Sequence, residues 1–189
     1  NETYGLATMR KAHVRIEADT IVFDYPAKSG VRRVQSVVDP LVSDVIGRLK
    51  RRRGGGDELL AYKEGGRWRD IRSSDINVFI KEQTGGDHSA KDFRTWHATV
   101  IAAAALAESD EPGRTKASRK RAEVAAMKEV AEFLGNTPAL ARASYVDPRV
   151  VDAYEEGITI RAATRRKAAS PSERQTVLER AVLKLLKEA

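Results

Sequence analysis

Gly135-Asn136-Thr137-Pro138-Ala139-Leu140-Ala141-Arg142-Ala143-Ser144-Tyr145 opens a helix and delivers a tyrosine about two turns further on. Either Thr137 or Asn136 can serve as N-cap, and Pro138 suits the first helical position. By itself the stretch also fits an ordinary helix start with a half-buried aromatic behind it. A phenol titrates near pH 10, so Tyr145 becomes a nucleophile at neutral pH only where cations stabilise the charge that develops on its target. Asn136 and Tyr145 lie nine residues apart. On one straight α-helix they would be about 13 Å apart and on opposite faces. If both serve one site, a bend or break is expected between Leu140 and Tyr145.

Cations are abundant. The chain of 189 residues carries 34 Lys and Arg against 27 Asp and Glu, a net charge of +7 and a pI of about 9.7. That balance suits a polyanionic partner, with nucleic acid ahead of a membrane surface. No apolar run approaches the roughly 20 residues that cross a bilayer. With no cysteine, disulfides, thiolate metal sites and cysteine nucleophiles are excluded, and His13, His88 and His97 show no ligand spacing. Neither a metal nor a cofactor is expected. The length suits one domain, or a domain with an appendage. Asn1 opens the chain without a methionine on Asn1-Glu2-Thr3-Tyr4-Gly5, as expected of part of a longer protein.

Upstream of the tyrosine, three bursts of alternating apolar residues, 13–16, 20–25 and 31–38, are separated by Glu17-Ala18-Asp19 and Ala27-Lys28-Ser29-Gly30. This predicts a three-stranded antiparallel meander with Lys28 on a hairpin tip. Asp39-Pro40 starts a helix with Leu41, Val45, Ile46 and Leu49 at helical spacing, ending in a basic run at 50–53 to which no specific role is assigned. Two short segments, 59–62 and 67–70, either pair or simply connect. A helix over 74–83 closes at Gly85-Gly86. Ser89-Ala90-Lys91-Asp92 is a capping box opening a helix to about Glu108, with Phe93, His97, Val100, Ile101 and Ala104 as its expected buried stripe. Lys91 and Arg94 share a face near its positive end. A break at 109–113 precedes a helix crowded with Lys116, Arg119, Lys120 and Arg121 at its N-terminal end. Cations oppose the dipole there, so a DNA backbone is favoured as their counterpart over ordinary solvated charge. A short helix over 150–154 follows. The expected organisation is a domain over 1–156, a basic linker over 157–170, and an amphipathic helix over 171–189 opened by Ser170-Pro171-Ser172-Glu173. The fold class is α+β and mostly helical, a small sheet followed by a helical domain.

In order, Asn1 to Thr8, the hairpin Ala27-Lys28-Ser29-Gly30, the box Lys91-Asp92-Phe93-Arg94-Thr95 and Leu134-Gly135-Asn136-Thr137-Pro138 up to Tyr145 resemble the catalytic domain of type IB DNA topoisomerases of the poxvirus and bacterial kind. These are related in fold to tyrosine recombinases. The likeness covers residue 1 to about 156. Ala27 replaces the family's usual glycine and Asn136 its usual histidine. The resemblance implies that Tyr145 forms a transient 3′-phosphotyrosyl link and relaxes supercoils without ATP or metal. Arg94 and Asn136 would hold the phosphate, and Lys28, with Lys91, would protonate the leaving 5′-oxygen. Arg32, Arg33, Lys116, Arg119, Lys120, Arg121 and Arg142 are the expected DNA contacts. The partner implied is double-stranded DNA, bound by a monomer in the bacterial nucleoid. A further catalytic arginine would be expected upstream of Asn1, leaving this chain weak on its own. A tyrosine recombinase is the alternative, but its second box usually reads His-x-x-Arg where Lys91 stands here. The other alternative is a DNA-binding fragment without catalysis.

Overall fold

The computed structural model describes residues 3–27, 30–109 and 115–188. Lys28, on the expected hairpin tip, and most of the expected break at 109–113 lie outside the described residues. The chain divides into two compact units, Asn1–Ala90 and Lys91–Ala189. The architecture is α+β and mostly helical, as expected: a small antiparallel sheet precedes a helical unit.

In the first unit β1 (Val14–Glu17), β2 (Thr20–Pro26) and β3 (Arg32–Val38) form the expected meander, in the order β1-β2-β3. Val14 pairs with Phe23, and Tyr25 with Arg33. The first turn is tight: Glu17 pairs with Thr20, and Ala18 takes φ 53°. Two-residue hairpins demand that left-handed conformation even of a residue other than glycine. α1 (Pro40–Arg51) is capped by Asp39, whose Oδ1 accepts from the Val42 amide at 3.0 Å. Its packed face differs from the expectation. Ile46 is buried together with the small residues Ser43 and Gly47, while Leu41 and Val45 stand 81% and 54% exposed. The helix approaches closely on small side chains, as a Cβ on Gly47 would lie 3.5 Å from the Ile16 Cδ1. Leu49 is half-buried, so the spacing of large apolar residues marks the packed face only in part. Met9, Val14, Ile21, Ile46 and Leu59 form this unit's core.

The basic run at the end of α1 is partly internal. Arg52 is buried; its guanidinium donates to the Leu49 carbonyl at 3.0 Å, the Leu59 carbonyl at 2.9 Å and the Glu58 carbonyl, and lies over Trp68 with Asp70 at 3.6 Å. The glycines of 54–56 let the chain fold around it: a Cβ on Gly55 would sit 2.9 Å from that of Trp68. The segments left open as pairing or connecting do pair, as β4 (Ala61–Glu64) and β5 (Arg67–Asp70). α2 (Ser73–Thr84) ends on Gly85 at φ 65°.

The second unit is helical: α3 (Ala90–Glu108), α4 (Lys116–Leu134), α5 (Pro138–Ser144), α6 (Pro148–Glu155), α7 (Arg161–Thr164) and α8 (Pro171–Glu188). Along α3 the buried stripe is only partly the expected one: Val100 is buried, and Ile101 and Ala104 pack partly buried against the core. Phe93 is 53% exposed and His97 only half-buried, whereas Ala98, Thr99, Val100, Ala102, Ala103, Leu106 and Ala107 are buried. Alanines at adjacent positions allow neighbours to approach on several sides, so the second half of α3 is enclosed rather than one-faced. Within 157–170, Ile160 is buried and Arg161 donates to the carbonyls of Ala107 at 3.0 Å and Ser109 at 2.8 Å. Those are carbonyls that the end of α3 leaves without helical partners. α8 joins the core through Leu178, Val182 and Leu185. Its start is capped as expected, with Ser170 Oγ accepting from the Glu173 amide at 3.1 Å.

Candidate active site

α4 stops at Gly135, which adopts φ 67°, and the Asn136 amide turns back to the Ala131 carbonyl at 2.9 Å. Of the two possible caps for α5, Thr137 is the one used: its Oγ1 accepts from the Leu140 amide at 3.3 Å, and Pro138 follows. The helix runs unbroken through Ser144, and the break falls at the far edge of the expected window. Tyr145 is the C-cap, with φ −133° and ψ −21°. Val146 is buried, and Asp147 caps α6 by accepting from the Arg149 amide at 3.0 Å. Asn136 and Tyr145 thus flank α5 at opposite ends, outside its regular turns.

The Tyr145 ring is half-buried against the unit's core. The Arg94 guanidinium carbon lies 5.2 Å from its centroid and the Lys91 Nζ 5.9 Å. Both cations rise from the first turns of α3, where the helix dipole already favours an anion. Arg94 is tethered by Nη2, which donates to the Leu134 carbonyl at 3.2 Å, two residues before Asn136. The Asn136 Nδ2 is buried and has no acceptor among the described residues. A buried amide donor normally has one. The structure therefore brings Lys91 and Arg94 to Tyr145 and leaves Asn136 with a donor to spare on the same segment.

The residues expected along DNA occupy varied settings. Arg32 forks onto Asp24 at 2.7 and 2.6 Å, holding that carboxyl below the usual carboxylate range, and Arg33 sits opposite Tyr25 in the sheet. Arg119 donates to the Glu155 carbonyl at 2.6 Å. Lys120 and Arg142 both pair with Glu123, Lys120 at 2.9 Å. Lys116 and Arg121 are exposed on α4. Sequence reasoning passed over Glu123, a buried carboxylate that ties α4 to α5, although its spacing of three from Lys120 was a signal. Next to the tyrosine in sequence, Asp147 is held under its ordinary value, first by the Arg149 side chain and against the effect of burial. Arg149 also donates to the Leu186 carbonyl at 2.8 Å.

In the helical unit two cations of α3 thus face a tyrosine at the end of α5. The chain belongs to the family described as eukaryotic DNA topoisomerase I, catalytic core, whose profile matches residues 1–171. It is similar to the DNA topoisomerase 1B of Acanthamoeba polyphaga mimivirus, with 32% identity over 163 residues, covering 82% of this chain and 48% of that protein. The chain spans about half the length of that relative. Among the described residues no helix is long and apolar enough to cross a membrane.

Proposed function

We propose that this chain carries the strand-cleaving chemistry of a type IB topoisomerase, with double-stranded DNA as substrate. The observation that supports it most is the pairing of Arg94 and Lys91 with the Tyr145 ring. In this reading the Tyr145 Oη gives up its proton to solvent water and attacks a backbone phosphorus. A bond forms from Oη to phosphorus while the bond from phosphorus to the 5′-oxygen breaks. Arg94 grips one non-bridging oxygen through its planar fork, and the Asn136 amide donates to the other. Lys28, aided by Lys91, gives the departing 5′-oxygen its proton. The 3′-phosphotyrosyl bond retains the energy of the phosphodiester, so the 5′-hydroxyl reverses the step after the free strand has rotated. The reaction balances without ATP or a metal, since fixed cations supply the charge stabilisation.

One tyrosine suffices for one strand, so the acting form is a monomer, and the bacterial nucleoid is the compartment this reading assigns. The remaining expected contacts, Arg32, Arg33, Lys116, Arg119, Lys120, Arg121 and Arg142, would track the backbone. Incubation with supercoiled plasmid in the absence of Mg²⁺ and ATP tests the proposal, together with a denaturing gel for covalent adduct. Slow relaxation and a slowly formed, Tyr145-dependent adduct are expected; Tyr145→Phe should lose both and still bind DNA. An adduct that persists in Tyr145→Phe would place the nucleophile elsewhere. For Lys28→Ala, slow cleavage of ordinary DNA should recover on a duplex whose 5′-oxygen is replaced by sulfur, because a thiolate departs without a proton. Equal slowing on both duplexes would remove Lys28 from the role of acid.

A further inference from the structure

Thr99 is a polar residue in the enclosed half of α3, 2% exposed, with Ala98, Val100, Ala102 and Ala103 around it in sequence and equally buried. A valine would fill the same space, so the hydroxyl needs its own reason. Its partners supply one. The Thr99 Oγ1 accepts from the Asp147 amide at 3.1 Å, donates to the Thr95 carbonyl at 2.8 Å, and lies 3.4 Å from the Tyr145 carbonyl oxygen. Thr95 in turn donates its hydroxyl to the Lys91 carbonyl at 3.2 Å. Lys91, Thr95 and Thr99 follow one another at helical intervals of four, along the helix that also bears Arg94. One buried hydroxyl therefore fastens the chain leaving α5 onto the helix that carries the cations.

Where α5 stops decides where Tyr145 points. Each further residue of α-helix would rotate the side chain by about 100° around the axis. The amide of Asp147 is the group that must find an acceptor once the helix is broken at Tyr145, and Thr99 provides it. We propose that Thr99 is a positioning residue for Tyr145: by accepting from Asp147 it holds the break in place and keeps the phenol over Lys91 and Arg94. The inference rests on the cleavage reading above for its consequence in catalysis, and on the hydrogen bonds alone for its structural part.

Two readouts separate those parts. Thr99→Val keeps the shape and the β-branch and removes the hydroxyl; Thr99→Ser keeps the hydroxyl; Thr99→Ala is a second hydroxyl-free variant should valine fold poorly. Amide hydrogen exchange at Asp147, followed by NMR on the full chain without DNA, should quicken at least about 10-fold in Thr99→Val and stay near the parent in Thr99→Ser. Single-turnover adduct formation on a suicide duplex should slow by about 10- to 100-fold in the valine variant, with DNA affinity within about two-fold of the parent, and recover in the serine variant. Unchanged exchange at Asp147 in both hydroxyl-free variants overturns the proposal. So does equal slowing of cleavage in Thr99→Val and Thr99→Ser, or a loss of affinity that accounts for the whole rate effect. A parent chain that forms no Tyr145 adduct even on prolonged incubation overturns the cleavage reading, and the exchange result then decides whether Thr99 holds the Tyr145 segment.

Discussion

Arg94 lies 5.2 Å from the Tyr145 ring centroid and keeps one guanidinium nitrogen on the Leu134 carbonyl. A single fork thus faces the Tyr145 ring while anchored to the segment that holds Asn136. Lysine cannot make both connections, since its ammonium is a point donor on a flexible stem. Arg94→Lys should therefore lower the single-turnover cleavage rate by about 10²- to 10³-fold, close to Arg94→Ala, despite retaining the charge. Full activity in Arg94→Lys would show that charge alone is required. A second residue-scale test concerns Asp147, whose carboxyl is held below its ordinary value of 3.8 chiefly by the Arg149 side chain. A depressed folded-state value contributes stability above the unfolded value, and that contribution is lost as pH falls through the folded one. Asp147→Asn can still cap α6 but cannot ionise. Its melting temperature should be somewhat lower than the parent's near neutrality and should converge with it as pH falls below the ordinary carboxylate value. Parallel curves over that range would assign the acid-side loss to other carboxylates. Asp147→Ala removes the cap as well and should cost about 1 kcal/mol near neutrality.

The helix boundaries were legible because they rest on local chemistry: Asp39-Pro40, Thr137-Pro138 and Ser170-Pro171 each open a helix, and Gly85 and Gly135 each close one in the left-handed conformation. The packed faces of α1 and α3 were less legible. Large apolar residues signal a face by their spacing, but close approach here is made on Ser43 and Gly47 in α1 and on alanines in α3. Small residues carry little weight in such a pattern and bury as readily as large ones. Arg161 and Arg52 were unreadable for a related reason: an arginine that collects carbonyls at a chain reversal has no sequence pattern of its own. The Lys91, Arg94 and Tyr145 grouping came from a resemblance in spacing, and Thr99 carried no signal because its partners lie far along the chain. At this scale α8 provides the test. Leu178, Val182 and Leu185 are buried in the core shared with α3, α4 and α6. Leu178→Ala should destabilise the protein by about 2–4 kcal/mol in urea unfolding, and removing 171–189 should destabilise it further. An unchanged unfolding midpoint in both would make α8 an appendage, independent of the helical unit.

For the molecule as a whole, the net charge of +7 states how much cation there is, while the structure shows how much of it is already engaged. Glu123 is 4% exposed and pairs with both Lys120 and Arg142. Removing a partner from a buried carboxylate leaves it without compensation, a change felt in stability before it is felt in binding. Lys116 and Arg121 are exposed on the same helix, α4. The cations expected along DNA should therefore separate into two groups in one experiment, in which affinity for a short duplex is measured across a salt series beside thermal unfolding. Arg121→Ala and Lys116→Ala should each reduce the slope of log affinity against log salt by about one phosphate contact and leave the melting temperature nearly unchanged. Arg142→Ala should lower the melting temperature, with a smaller effect on the slope, because its first partner is Glu123. Restoring balance by Glu123→Gln in the Arg142→Ala background should recover part of the lost stability, since a neutral amide no longer demands a cation. Were Arg142→Ala to flatten the salt slope as much as Arg121→Ala with no loss of stability, Arg142 would be a DNA contact in its own right and its pairing with Glu123 would be incidental.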